Sequence, residues 1–274
     1  MIIVCTSKPF DGLLFYSYEY SRYLNVPLLI ITYPGFTEKD YEKSIKSKYN
    51  VYKDVLFEFT PVDEEILILG RSMLTIAYLN RDQYNYDQLL NLHLLFSNKL
   101  ISVYSENHPI QYQEALQYFN PSSVIDLCDY DVYPNGVGKH FEKRINFSIY
   151  KEPKKDIQFE NLFLGTNRRY YETVENVLPA IQGTYAILTY NDTFVNKKLN
   201  NIFSPVENLL GIFNTYIYTK STFDPAPRLI QECIYFNKKI VYNRDTTIKD
   251  GGYVYYNREI KEPYFEIWSM GHRL

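Results

Sequence analysis

Glu232 stands eight residues after Asp224, in a run where an apolar strand-like segment gives way to Asp224-Pro225-Ala226-Pro227-Arg228. Pro227 suits a first helical turn, because its missing N–H has no partner to lose there. Asp224 then sits just before that turn, within reach of free backbone N–H groups. Glu232 lies about a turn and a half inside the helix and is expected to face a crevice. A carboxylate so placed can accept both hydroxyls of a ribose, while the helix N-terminus favours an anionic phosphate. Arg228, at the same helix start, is a further donor-site candidate. Read blandly, Asp224 is a helix cap and Glu232 a solvated helix residue.

Gly165-Thr166-Asn167-Arg168-Arg169 follows another apolar run. A glycine turn with two guanidinium forks ahead of a helix makes a pyrophosphate site in physical terms; the alternative is a pair of surface arginines. The opening loop Lys8-Pro9-Phe10-Asp11-Gly12 is a third feature. Gly12 permits close backbone approach of a ligand and Asp11 can reach a substrate hydroxyl, unless the two are simply a turn and its cap. Glu106 and His108, just before Pro109, are placed to take a proton from an alcohol, as strand-end loop residues; Asp126, Asp129 and Asp131 are weaker candidates. Neither the 3 cysteines nor the 4 histidines fall at metal-ligand spacings, and Asp129-Tyr130-Asp131 alone is a weak pair, so no metal is expected. Asn135-Gly136-Val137-Gly138-Lys139 lacks the spacing and terminal hydroxyl of a phosphate-binding loop.

The elements that must hold these residues are short apolar strands alternating with amphipathic helices. Strands are expected over residues 2–5, 27–32, 65–69, 100–104 and 124–128, with helices over 13–24, 71–79, 86–96 and 110–119. After a charged, proline-containing stretch the cycle restarts. Strands are expected over 161–165, 185–190, 215–219 and 239–242, and helices over 170–181 and 227–236. Such alternation means parallel sheets covered on both faces. The reading is an α/β chain of two Rossmann-like domains, residues 1–150 and 151–252, facing across a cleft, with 253–274 packing back on the first.

The chain has 274 residues, 46% of them hydrophobic, with a net charge of −3. That balance excludes disorder and a protein built to coat nucleic acid. Residues 139–169 nevertheless carry eight basic side chains against four acidic ones, a strip that can meet phosphates or be a solvated linker. No run is long or apolar enough for a membrane span, and scattered cysteines fit a reducing cytoplasm. The 29 tyrosines belong to a residue type with A/T-rich codons, which fits a bacteriophage or an A/T-rich bacterium.

The acid-x7-Glu spacing at the start of a helix in the second α/β domain resembles the nucleotide-sugar glycosyltransferases of GT-B architecture. In that family the motif is Glu-x7-Glu; here Asp224 takes the first place and Glu232 the second. The resemblance implies that Glu232 holds the nucleotide ribose and that Asp224 lies near the donor sugar. It also implies Arg168 and Arg169 on the donor diphosphate, Gly165 in their turn, and Gly12 and Asp11 near the reacting groups. The implied activity is hexosyl or pentosyl transfer from a nucleotide sugar, with UDP as the expected carrier and no tightly bound cofactor. The expected acceptor is a hydroxymethylated pyrimidine in double-stranded phage DNA. Alternatives are a glycan or lipid-linked acceptor, or a nucleotide-binding module without catalysis.

Overall fold

A computed structural model of the chain describes residues 1–58, 64–104, 109–129, 139–141, 145–164, 178, 181–189, 201–203, 208–218 and 228–242. The chain divides into two compact units between Tyr150 and Lys151.

The first unit runs β1 (Ile2–Cys5), α1 (Gly12–Leu24), β2 (Leu28–Ile30), α2 (Glu38–Lys48), β3 (Val55–Leu56), β4 (Ile66–Ile68), α3 (Arg71–Leu79), α4 (Tyr86–Phe96), β5 (Lys99–Tyr104), α5 (Pro109–Phe119), β6 (Ser123–Asp129) and β7 (Lys139–Phe141). These strands form one seven-stranded sheet in the order β3-β2-β1-β4-β5-β6-β7. Every pairing is parallel, with Ile3 beside Leu28 and Ile2 beside Ile66. Successive side chains of a strand point to opposite faces, and here both faces are buried. Ile2, Val4, Ile66, Ile68 and Leu100 pack with Leu74 of α3, Phe96 of α4 and Tyr112 of α5. Ile3 and Cys5, pointing the other way, are fully buried as well. That double burial is why these strands read as continuous apolar runs.

The second unit holds β8 (Phe159–Leu164), β9 (Tyr185–Thr189), β10 (Asn201–Phe203), β11 (Phe213–Tyr218), α6 (Arg228–Tyr235) and β12 (Lys239–Tyr242). Its parallel sheet has five strands in the order β10-β9-β8-β11-β12. Leu162, Ala186 and Tyr216 point to one face, where Ile230 and Cys233 of α6 cover them. Phe163, Ile187 and Ile217 form a separate cluster on the other.

The α/β class and the parallel sheets agree with the sequence expectation; several elements differ from it. Helix α2 was not expected: its sequence is dominated by charge, and only Tyr41, Ser44 and Ile45 are buried, a stripe too narrow to read. Strands β3, β7 and β10 have two or three residues each, below the length at which alternation shows. The basic stretch, read as either a phosphate-binding strip or a solvated linker, is not solvated throughout, because Ile145, Phe147 and Tyr150 are buried. Tyr150 bridges antiparallel to Tyr49, with the rings 5.1 Å apart and nearly perpendicular. The helix expected over 170–181 and the tail from 253 lie outside the described residues, apart from Leu178 and a non-helical Ile181. Among the described residues no helix is long and apolar enough to cross a membrane.

The chain enters the second unit along a fixed track. Asn208 Nδ2 donates to the Lys154 carbonyl at 2.6 Å, and Asp156 N–H to the Gly211 carbonyl at 3.0 Å. A Cβ on Gly211 would fall 2.0 Å from the Lys154 carbonyl oxygen and 2.4 Å from Asn208 Nδ2. Gly211→Ala should therefore cost about 1–3 kcal/mol, measured as a lower urea midpoint. Gly12→Ala, where a Cβ meets nothing within 4 Å, should leave that midpoint unchanged or raise it.

Candidate functional site

In an open parallel sheet, ligands bind beyond the carboxyl ends of the strands where the strand order reverses, because the connecting helices there leave to opposite faces. The second unit reverses between β8 and β11. Gly165, Arg168 and Arg169 follow the end of β8 in the chain, and Asp224 lies between β11 and α6; all four lie outside the described residues. Arg228 and Glu232 are described, and the structure brings them together: Arg228 Nε donates to Glu232 Oε1 at 2.9 Å. The sequence expectation placed Glu232 on an open crevice wall, whereas it is 3% exposed and its partner 9%.

Helical spacing explains the arrangement. Positions 228, 231 and 232 share one side of α6, and Ile230 and Cys233 take the side facing the sheet. Gln231 is buried too, and its Oε1 makes no hydrogen bond among the described residues. A short helix thus buries a polar face as well as an apolar one. Burial, with Glu232 close by, pushes the Cys233 thiol well above its ordinary value.

The first unit reverses between β1 and β4. The loop after β1 is tied down by two helices, α2 and α3. Thr6 Oγ1 donates to the Met73 carbonyl at 2.5 Å, and Phe10 N–H to Ser44 Oγ at 2.8 Å. The buried Tyr41 hydroxyl donates to the Ser7 carbonyl at 2.9 Å and accepts from Tyr33 N–H at 2.8 Å. Phe10 holds a left-handed φ of 64°, unusual for an aromatic residue. Asp11 caps α1, its Oδ1 accepting from Leu13 N–H at 2.7 Å. The capping role read from the sequence is therefore real, and any substrate contact by Asp11 is additional to it. Gly12 needs neither a positive φ nor the missing side chain for packing.

Glu106 and His108 lie outside the described residues, as does Asp131. Asp126 accepts from the Tyr112 hydroxyl at 2.9 Å and pairs with Arg71 Nη2 at 3.0 Å, so it is part of a structural cluster. Arg71 also lies over the Tyr112 ring, 4.5 Å from its centre. Sequence reasoning passed over Arg71, Ser72 and Tyr112. The available signal was Gly70-Arg71-Ser72 at the junction of an apolar strand and a helix. Among the described residues no group of three or more His, Cys, Asp or Glu is placed to hold a metal ion.

A cavity of about 500 Å³ opens at the opposite, amino-terminal edge of the second sheet, lined by Lys155, Asn214 and Lys238 among others. Lys238 follows α6, where a cation complements the helix C-terminus. Its Nζ donates to the Phe213 carbonyl at 2.5 Å. Burial, with Lys155 nearby, lowers its pKa. These contacts account for the lysine as a helix-end residue.

No protein-family model matches the chain, and no curated protein matches it in sequence.

Two outcomes follow from this geometry. Replacing Arg228 with Met should cost about 3–5 kcal/mol of stability, the scale for stranding one charge of a buried pair, read by urea denaturation. Cys5 lies beside Ser7 Oγ at 3.1 Å, and burial pushes its thiol from 9.0 up to about 11. Between these values the unfolded chain has lost the thiol proton and the folded chain keeps it, so stability falls as pH rises through the window. Cys5→Ala should lack that part of the alkaline loss, about 2–3 kcal/mol, measured as the difference between the two proteins' pH–stability curves.

Proposed function

We propose that the chain is a nucleotide-sugar-dependent glycosyltransferase. The observation that carries this reading is the buried ionic face of α6. Arg228 and Glu232 meet at 2.9 Å on a helix that follows β11, the strand beside the order reversal of a parallel sheet. A buried ion pair adds little net stability compared with apolar residues of the same size. A polar face kept there at such a cost supports a ligand role.

In this reading Glu232 accepts the ribose hydroxyls of a UDP-sugar, held in place by Arg228. Arg168 and Arg169 take the diphosphate, Gly165 gives their loop its turn, and Asp224 lies by the donor sugar. The acceptor oxygen attacks the anomeric carbon as the bond from that carbon to the diphosphate oxygen breaks. UDP leaves with the bonding electrons, and the acceptor's proton passes to Glu106 or His108. Negative charge grows on the diphosphate during this step, so the arginines contribute more in the transition state than in the ground state. Gly12, where a Cβ would meet nothing within 4 Å, would leave the backbone of the loop after β1 open to a bound substrate. The acceptor we favour is a hydroxymethylated pyrimidine in duplex DNA, consistent with the exposed Lys151, Lys154 and Lys155 of the basic strip.

The deciding experiment offers labelled UDP-sugars to the purified chain together with duplex DNA containing hydroxymethylated bases, and in parallel a small glycan. Label on the DNA is the expected outcome. Transfer only to the glycan moves the acceptor, and UDP binding without transfer to anything leaves a nucleotide-binding module. Absence of UDP or UDP-sugar binding sinks the reading. Glu232→Gln, which keeps the shape, should weaken UDP-sugar binding by about 1.5–3 kcal/mol. Gly12→Ala should leave stability intact yet lower turnover, a separation that a purely structural loop would not show.

A further inference from the structure

We propose that the N-terminus of α3, with Ser72 and Arg71, is a phosphate-binding site of the first unit. The site goes beyond the donor reading and stands on different residues, so it does not depend on α6. Helix α3 has nine residues and begins immediately after Gly70, at the carboxyl end of the β4 side of the strand-order reversal. Gly70 has no side chain to cap the helix, and its carbonyl accepts from Met73 N–H at 3.0 Å, so an anion would meet the N–H groups at the very start of the turn. The helix dipole adds partial positive charge at the same point.

Ser72 supplies the second observation. It is 8% exposed, and its Oγ makes no hydrogen bond among the described residues. Side chains of a first helical turn lean back toward the helix N-terminus, the direction in which the Ser72 hydroxyl would reach a ligand held by the N–H groups. Buried hydroxyls without a partner are uncommon, and each asks for an explanation. An anion's oxygen at the helix end supplies the missing acceptor.

Arg71 brings a full charge to the same turn. Its guanidinium is held over the Tyr112 ring at 4.5 Å and against Asp126 Oδ2 at 3.0 Å, which limits its freedom before any ligand arrives. The Asp126 carboxylate competes for the arginine but is 42% exposed, and solvent screens it. On the other side, Thr6 Oγ1 ties the loop after β1 to the Met73 carbonyl at 2.5 Å, fixing one wall of the crevice. Donors from backbone, hydroxyl and guanidinium suit a tetrahedral phosphate, with its several acceptor oxygens. The phosphate is either a backbone group of DNA or that of a small molecule.

The test is an NMR titration of the ¹⁵N-labelled chain with inorganic phosphate at constant ionic strength, following the amides of Arg71, Ser72 and Met73. Saturable shifts centred on these three are expected, and Ser72→Ala should weaken the binding about tenfold. Shifts absent at the highest phosphate concentration reached, or centred elsewhere, overturn the proposal. An unchanged affinity in a folded Ser72→Ala protein does so too. The wild-type map decides the matter even if the variant does not fold. Repeating the titration with a short DNA duplex separates the sources: movement of the same amides marks a backbone phosphate, and movement with inorganic phosphate alone marks a small molecule. Phosphate binding here without any sugar transfer keeps this site and removes the glycosyltransferase reading; transfer without these shifts does the reverse.

Discussion

A parallel sheet whose strand order reverses cannot close its own edge. Right-handed crossovers send the helices after neighbouring strands to opposite faces at the reversal. The two loops part there, and their backbone groups lose the neighbours that would otherwise cover them. This protein does it twice, between β1 and β4 and between β8 and β11. Each unit therefore has one place where a helix N-terminus, loop backbone and solvent meet, at α3 in the first and α6 in the second.

The two units organise that place by different means. In the first, hydroxyls do the organising: Thr6 ties the β1 loop to α3, and Tyr41 and Ser44 hold it from α2. Such bonds are individually modest, about 0.5–1.5 kcal/mol net. Together they leave the loop few alternatives, which is what a strained residue such as Phe10 needs in order to persist. In the second, charge does the organising. The pair formed by Arg228 and Glu232 is hidden from water, so either side chain moves only at the expense of the other. A ligand that met Glu232 would have to share it with Arg228, and the pair would act as one unit.

What was legible in the sequence follows from the same physics. Strands buried on both faces appear as apolar runs, so β1, β4, β5 and β11 could be read to within a residue or two. Helices with a broad apolar stripe, such as α3 and α4, could be read end to end. Helix α2 could not, because three buried positions among so many charges leave no periodic signal. The pairing of Arg228 with Glu232 was half legible: the spacing of four predicts contact on a helix, but burial is a tertiary fact. Ser72 was invisible for that reason alone. Nothing in a serine's type or position says that its hydroxyl will be enclosed without a partner.

Net charge narrows how a polyanionic acceptor could be held. At −3 overall the protein has no strong long-range attraction for nucleic acid, and charges beyond about 8 Å are screened at physiological ionic strength. Recognition must then rest on short-range donors that are already in place. Helix α3 offers such donors beside Arg71, whose guanidinium is positioned by Tyr112 and Asp126. Each phosphate neutralised contributes only about 0.9 to the salt slope on duplex DNA. A protein that grips one or two phosphates firmly in this way discriminates by geometry at the gripped positions. One that coats the backbone with lysines binds more tightly at low salt and positions less. Under the phosphate proposal, the acidic balance of this chain and the first turn of α3 would place it with the first kind.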